Sequence, residues 1–271
     1  MPYENAPLVF VALEIRYPSE NSAGSPTLED QRDLRSHLDE VASSDGESWV
    51  VDQLKPAPTF QLAIGPTGPG TQQAGVLGIG GALPRLMNRF RTTAVTFAPT
   101  ALIVETTDYR SWGHFQLVVE PVVSFVAERL RPDGYSRLGM RYLDEVAIPH
   151  DGGAPLDWGP YLASALPHPP PRGFVARSWQ SVVQYFAEGD RGVILRYGPT
   201  ENPVLDPGNG LRRRPVASGS LLSIDTDAFV QPSTIPTFDP ASILRTLDGL
   251  HVPVSELFES LVTDTLRKLW N

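Results

Sequence analysis

Val-Phe-Val-Ala-Leu-Glu-Ile-Arg-Tyr, residues 9–17, is the stretch of sequence from which the fold can be worked out. Apolar side chains recur at every second position from Val9 to Tyr17, while Glu14 and Arg16 occupy the positions between them. This alternation is typical of a strand with one apolar face and one polar face. Pro18 ends the predicted strand, because proline cannot donate a hydrogen bond to a neighbouring strand.

A similar stretch occurs in the second half of the chain. Residues 13–17 read Leu-Glu-Ile-Arg-Tyr, and residues 138–142 read Leu-Gly-Met-Arg-Tyr, 125 positions later. A second match joins Val-Glu-Thr-Thr-Asp-Tyr at 104–109 to Ile-Asp-Thr-Asp-Ala-Phe at 224–229, 120 positions later. We therefore predict an α+β protein with two similar halves, 1–132 and 133–271, that form one pseudo-symmetric unit. Each half has the order strand, helix, antiparallel sheet, helix, and the second ends in the C-terminal helix.

Hydrophobic spacing predicts the longer helices. The segment 112–130 has apolar residues at helical intervals, and Pro121 inside it predicts a kink or two abutting helices. A short helix is expected around 158–166. The segment 239–270 is also helical in pattern, with an expected interruption at 251–253, where His-Val-Pro occurs.

Short strands, one further helix and loops account for the rest. A helix begins after Thr27, which can cap it. Gly and Pro make 65–81 a turn or loop and 167–171 a linker, and 188–192 is a candidate hairpin turn. The other predicted strands are 49–54, 59–64, 91–97, 101–107, 138–148, 175–186, 193–197 and 221–229.

Composition limits the class of protein. Twenty-two basic residues against 31 acidic ones give a net charge of −9, which disfavours nucleic acid and anionic membranes as partners. With no cysteine, disulfides, thiolate nucleophiles and zinc–cysteine sites are excluded. We expect a cytoplasmic protein, because no apolar run is long enough to cross a bilayer and the N-terminus lacks a secretory pattern.

Motifs for catalysis or for metal binding are absent from the sequence. The five histidines are scattered, no Gly-x-Ser-x-Gly occurs, and the glycines of 75–81 match no phosphate-binding pattern. Paired carboxylates such as Asp144-Glu145 diverge on a strand, so a solvated face is expected for them. We therefore assign no catalytic residue, metal or cofactor, and an enzyme is the less favoured class.

Two arginines are the candidate binding residues. Arg16 and Arg141 occupy equivalent positions in the two matching stretches, on the polar side of each strand. A curved sheet with both arginines on one face could hold a small anionic ligand or an acidic segment of a protein partner. Alternatively, each arginine only pairs with a nearby carboxylate such as Glu14, Glu105 or Asp225. The basic run 212–214 is expected to be an exposed, solubilising turn.

The sequence also resembles a protein family. The matching segments include 102–109, 137–142, 222–225 and, most specifically, the C-terminal Phe-Glu-x-x-x-Thr-Asp-x-Leu-Arg of 258–267. They are similar to a sporadically distributed, uncharacterised prokaryotic family of about this length. The resemblance implies a bacterial or archaeal origin, in keeping with twenty arginines against two lysines. It supplies no activity, ligand or site residue.

The function expected from these observations is that of a non-catalytic binding or interaction protein that uses a curved sheet face. The alternative is a small-molecule pocket with hydrolase or isomerase activity beneath the long helices, lined by Trp112, Phe115, Trp179 and Phe258. The sequence identifies neither the partner nor the oligomeric state.

Overall fold

A single antiparallel sheet organises the residues that the computed structural model describes, namely 6–19, 23–41, 48–54, 83–148, 157–163, 172, 179–200, 210–215 and 220–270. Nine strands are found in these residues, together with four α-helices, so the fold is α+β as predicted. The strands are β1 (Leu8–Arg16), β2 (Trp49–Leu54), β3 (Leu83–Asn88), β4 (Thr93–Ala98), β5 (Ala101–Thr106), β6 (Arg137–Ile148), β7 (Ser181–Ala187), β8 (Arg191–Thr200) and β9 (Ser220–Val230).

The strand predicted from residues 9–17 lies in the middle of the sheet, whose order is β2-β3-β4-β5-β1-β6-β9-β8-β7. Leu13 of β1 pairs with Val104 of β5 on one side and with Met140 of β6 on the other. These three side chains are fully buried, and the residues next to each of them along its own strand point to the opposite face. The hydrogen bonds between β1 and β6 join residues 1–132 and 133–271 in one sheet.

The helices are α1 (Leu28–Val41), α2 (Trp112–Phe125), α3 (Pro240–Leu261) and α4 (Asp264–Arg267). The cap predicted at Thr27 is confirmed: its Oγ1 accepts from Asp30 N at 3.1 Å, and Asp30 Oδ2 accepts from Thr27 N at 3.0 Å. After Phe125, α2 continues to Leu130 with wider, π-type hydrogen bonds.

The helices pack on one face of the sheet only, within the part of the chain described. A first core lies between α1, α2, α3 and the strands that run from β2 to β8 in the order of the sheet, and a second lies beneath Trp158 and the C-terminal residues. We call this side the helix-covered face and the other side the open face. The first core contains Val11, Leu34, Val104, Val122, Met140 and Leu247, and the second contains Val146, Trp158, Leu222, Leu261 and Trp270.

Both internal prolines are accommodated within continuous helices. The predicted interruption at 251–253 is wrong, because α3 runs through Pro253, and α2 likewise runs through Pro121 as one helix. Each proline leaves unpaired the carbonyl four residues earlier, which belongs to Leu117 or Gly249. Both of these residues are exposed, so water can bind the carbonyl, and burial of the apolar side of each helix outweighs the lost hydrogen bond.

The short helix expected around 158–166 is not formed in its described part, 157–163. Tyr161 N and Leu162 N both donate to Trp158 O, which makes a single turn. The next amide, that of Ala163, donates instead to Leu261 O at the end of α3, and Leu162 forms an isolated β-bridge with Val262. Pairing with the C-terminal segment therefore replaces the helix.

Several predictions fall on other parts of the chain. The strand 59–64, the loop 65–81 and the linker 167–171 lie outside the described residues. The hairpin at 188–192 is confirmed, with Gly189 and Asp190 at φ of 76° and 60° between β7 and β8. Among the described residues, no helix has the length and apolar character needed to span a bilayer.

Candidate functional site

The open face of the sheet carries a chain of alternating charges across four adjacent strands, which we call the ion-pair chain. Its members are, in order, Arg16 and Glu14 of β1, Arg137 of β6, Asp227 of β9, Arg141 of β6, Asp225 of β9 and Arg196 of β8. Four guanidinium groups and three carboxylates give this chain a net charge of +1, opposite in sign to the −9 of the whole protein.

Arg137 is the first residue of β6 and lies on the open face. Its Nη1 is 2.7 Å from Glu14 Oε2, and its Nη2 is 2.7 and 2.8 Å from the two carboxylate oxygens of Asp227. The guanidinium group also lies over the Phe229 ring, 5.2 Å from its centroid. Gly139 makes this possible, because a Cβ there would be 2.1 Å from Arg137 Nη1. Arg137 is therefore fixed flat against the sheet.

Asp225 holds two arginines from neighbouring strands. Its carboxylate is fully buried and accepts from Arg141 Nε and Nη2 at 2.7 and 2.8 Å, and from Arg196 Nη1 at 3.3 Å. The two arginine side chains stay 26% and 29% exposed. Burial alone lowers the pKa of Arg141, but Asp225, Asp227 and Glu14 outweigh it and hold that pKa above its ordinary value.

The two arginines singled out from the sequence belong to this one chain but do not face each other. Arg16 pairs in register with Arg137, whereas Arg141 pairs with Ala12. Arg16 is half exposed and bonds Glu14 at 3.0 Å. Glu14 and Asp225 are thus the carboxylates that these two arginines contact, and a binding role for either arginine stays a prediction.

Sequence reasoning missed two members of the ion-pair chain. Arg137 lies four residues before Arg141, so strand alternation places both on the same face, and this signal was available. Arg196 could not be found in the same way, because its contact with Asp225 depends on the register in which β8 pairs with β9.

Residues 210–215 pack on the open face beside the ion-pair chain. Arg213 pairs with the buried Glu145, and Thr107 Oγ1 donates to Arg212 O. The expectation of an exposed turn is correct for Arg212 and Arg214, but wrong for Arg213, because its side chain is only 12% exposed and packs against the buried Glu145. Leu211 completes a small apolar cluster with Phe10, Met87, Ala94 and Leu143.

A polar contact on the helix-covered face docks α3 to the sheet. The Tyr142 hydroxyl is 2.9 Å from His251 Nδ1, and the His251 ring stacks on Trp112 of α2. Burial lowers the pKa of His251, and Asp248 partly offsets this effect. Burial also raises the pKa of Tyr142, and the neighbouring Tyr109 hydroxyl adds to the shift. Both rings are therefore neutral near pH 7.

Asp144 lies on the same face, two residues beyond Tyr142. The solvated face expected for Asp144 and Glu145 is wrong, because both residues are buried. Burial, reinforced by the charge of Asp225, raises the pKa of Asp144 to about 8, so this carboxyl carries a proton at neutral pH. Its neighbours in register are the apolar Leu8 and Ile224, and no described residue hydrogen-bonds its side chain.

The four aromatic residues proposed to line a pocket do not surround a common space. Trp112 and Phe115 pack with the first core, whereas Trp179 and Phe258 pack with the second. In the described part of the chain, no three His, Asp or Glu side chains converge as metal ligands would. The ion-pair chain is therefore the best-formed candidate site.

Comparison with known proteins adds no relative. The chain matches none of the protein-family models, and no curated protein is significantly similar to it.

Proposed function

We propose that this protein is a non-catalytic binding protein that holds an anionic group on the open face of its sheet. The observation that carries the proposal is the cluster of Arg141 and Arg196 on the single buried carboxylate of Asp225. Two positive charges against one negative charge leave this end of the ion-pair chain cationic. Arg141 Nη1 and Arg196 Nε and Nη2 have no partner among the described residues, so they are available to a ligand.

The same arrangement favours binding over catalysis. Every carboxylate of the ion-pair chain is already bound by at least one guanidinium group. Such a network fixes charges in place, which suits recognition of a carboxylate or phosphate, and it leaves no carboxylate placed to take a proton from a substrate. Arg16 ends the chain on its other side, and we assign it a secondary, electrostatic role.

Calorimetric titration with inorganic phosphate tests this function. We expect saturable binding to the natural protein and at least fivefold weaker binding to Arg196→Gln. Arg191→Gln is the matched control, because Arg191 is exposed on the same strand but points to the other face, and it should bind phosphate normally. No binding to the natural protein, or an equal loss in both variants, would contradict the proposal.

We also propose that the two halves of the chain arose by duplication. Strand order supports this: β1 and β6 are central, β5 and β9 flank them, and α2 and α3 follow these two strands. The pairing of β6 with β9 is, however, shifted by six residues from the pairing that the two sequence matches predict. Leu13 pairs with Val104, whereas Leu138 pairs with Val230 rather than with Ile224. The register makes Val230, and not Ile224, the counterpart of Val104, so only the first of the two sequence matches agrees with a duplication of the strands.

Two further expectations remain proposals. Membership of the sporadic prokaryotic family rests on the segments quoted above, with the C-terminal 258–267 as the most specific. A cytoplasmic location agrees with the absence of cysteine from the sequence.

A further inference from the structure

An exposed apolar strip lies next to the cationic end of the ion-pair chain. Val182 and Phe186 of β7 are 54% and 74% exposed. Register places Val182 directly beside Arg196, and Phe186 directly beside Gly192. Ile194 lies between Arg196 and Gly192 on the same face of β8. The exposed Gln184 pairs with Ile194 and lies between Val182 and Phe186, so the apolar surface adjoins the positive charge on the open face and is interrupted by one polar side chain.

We propose that the ligand is a small amphiphilic anion, with one carboxylate or phosphate and an apolar chain. This inference rests on the proposed function, since the anionic group would be held by Arg141 and Arg196. The apolar chain would then lie across Val182, Ile194 and Phe186. A ligand with both parts covers the exposed apolar strip and neutralises the excess positive charge at the same time.

The glycine at position 192 shapes this surface. A Cβ on Gly192 would lie 2.5 Å from the Phe229 ring, so that ring extends over Gly192 from β9. Phe186 approaches the same position from β7. Phe229 is itself held beneath the Arg137 guanidinium, so the strip has a fixed aromatic wall at one end.

The exposure of these apolar side chains favours a bound ligand that covers them over a surface that stays uncovered. Large apolar side chains on the last described strand of a sheet favour aggregation unless something covers them. Tyr185 also belongs to β7 and is 44% exposed, but alternation directs it to the helix-covered side of the strand. It therefore offers a matched control for Phe186.

Titration with butanoate, hexanoate and octanoate is the test. We expect affinity to rise about two- to fourfold for each added methylene group. The double variant Val182→Ser/Phe186→Ser should lose this dependence and bind octanoate no better than butanoate. Tyr185→Ser should retain it. Octyltrimethylammonium, with a cationic head on the same chain, should not bind.

The outcomes separate this inference from the proposed function. If inorganic phosphate binds through Arg196 but octanoate binds no more tightly than butanoate, the proposal of an amphiphilic ligand is wrong, whereas the proposed anion site is supported. If chain-length dependence is lost equally in Tyr185→Ser, the strip is not the binding surface. If neither phosphate nor octanoate binds, both proposals fail.

Discussion

Arg141 and Asp144 lie three residues apart on β6, but they point to opposite faces of the sheet, and their charges are affected in opposite ways. Arg141 points to the open face, where Asp225 binds it through two hydrogen bonds and Asp227 and Glu14 add favourable charge. Asp144 points to the helix-covered face, where its neighbours in register are Leu8 and Ile224. One residue keeps its charge, and the other loses its charge at neutral pH.

The difference shows that the two faces of β6 give a charged side chain different surroundings: carboxylate partners on the open face and apolar neighbours on the helix-covered face. On the helix-covered side, the contact between Tyr142 and His251 joins two neutral groups. Ionised groups on the open side form a connected network, and some N–H donors of Arg141 and Arg196 have no partner among the described residues. This difference between the two faces is the reason why we propose the open face as the binding surface.

Asp144→Asn gives the largest expected effect. A raised pKa means that the folded protein binds this proton more tightly than the unfolded chain, so stability falls as pH rises from about 4 to about 8. Asparagine removes that loss. The variant should match the natural protein at pH 4 and exceed it by on the order of 5 kcal/mol at pH 8, measured by urea unfolding. If the free energies of unfolding of the two proteins changed with pH in the same way, Asp144 would be ionised in the folded state and its charge would be compensated by another group.

Arg141→Met comes next in size. The substitution leaves the buried carboxylate of Asp225 with only Arg196, so we expect a loss of about 3 kcal/mol in the free energy of unfolding at pH 7. Adding Asp225→Leu removes the unpaired charge and should recover more than half of that loss. A double variant less stable than Arg141→Met would show that Arg196 depends on Asp225 more than Arg141 does.

Tyr142→Phe tests the neutral contact on the helix-covered face. It deletes the hydroxyl that contacts His251, and a loss of about 1 kcal/mol is expected in urea unfolding. Tyr185→Phe serves as the control, because the Tyr185 side chain is exposed, and should leave stability unchanged. A loss of 3 kcal/mol or more in Tyr142→Phe would mean that this contact is more than a docking point for α3.

Arg16→Gln should have the smallest effect. Its guanidinium group is half exposed and pairs only with Glu14, so stability should change by less than about 1 kcal/mol. Phosphate affinity should fall by less than in Arg196→Gln, because Arg16 lies at the far end of the ion-pair chain. An effect on phosphate binding equal to that of Arg196→Gln would move the anion site towards β1.

Much of the fold could be predicted, because the alternation of apolar and polar residues in the sequence indicates strands. Residues 9–17, 138–148 and 221–229 were placed correctly, since each has one apolar side that the helices bury. The break expected at 251–253 was wrong, because propensity rules assign proline a cost without weighing the burial that offsets it. The helix expected near 158 was lost to a pairing with Val262, a contact that is distant in sequence.

The candidate site was only partly accessible from the sequence. Arg16 and Arg141 could be found because alternation gives the face of a side chain. Their partners depend on register: Arg141 lies opposite Asp227, yet it makes its two hydrogen bonds to Asp225. The burial of Asp144 could not be predicted from the sequence either, because it depends on which strands and helices surround β6.

Side-chain NMR of the arginine Nε–H groups during titration with inorganic phosphate tests the central proposal most directly. Lysine substitutions assign the signals of Arg141, Arg196 and the exposed Arg110. We predict saturable shifts at Arg141 and Arg196, with Arg110 unaffected. Shifts of similar size at all three, or none at Arg141 and Arg196, would show that the open face does not bind anions.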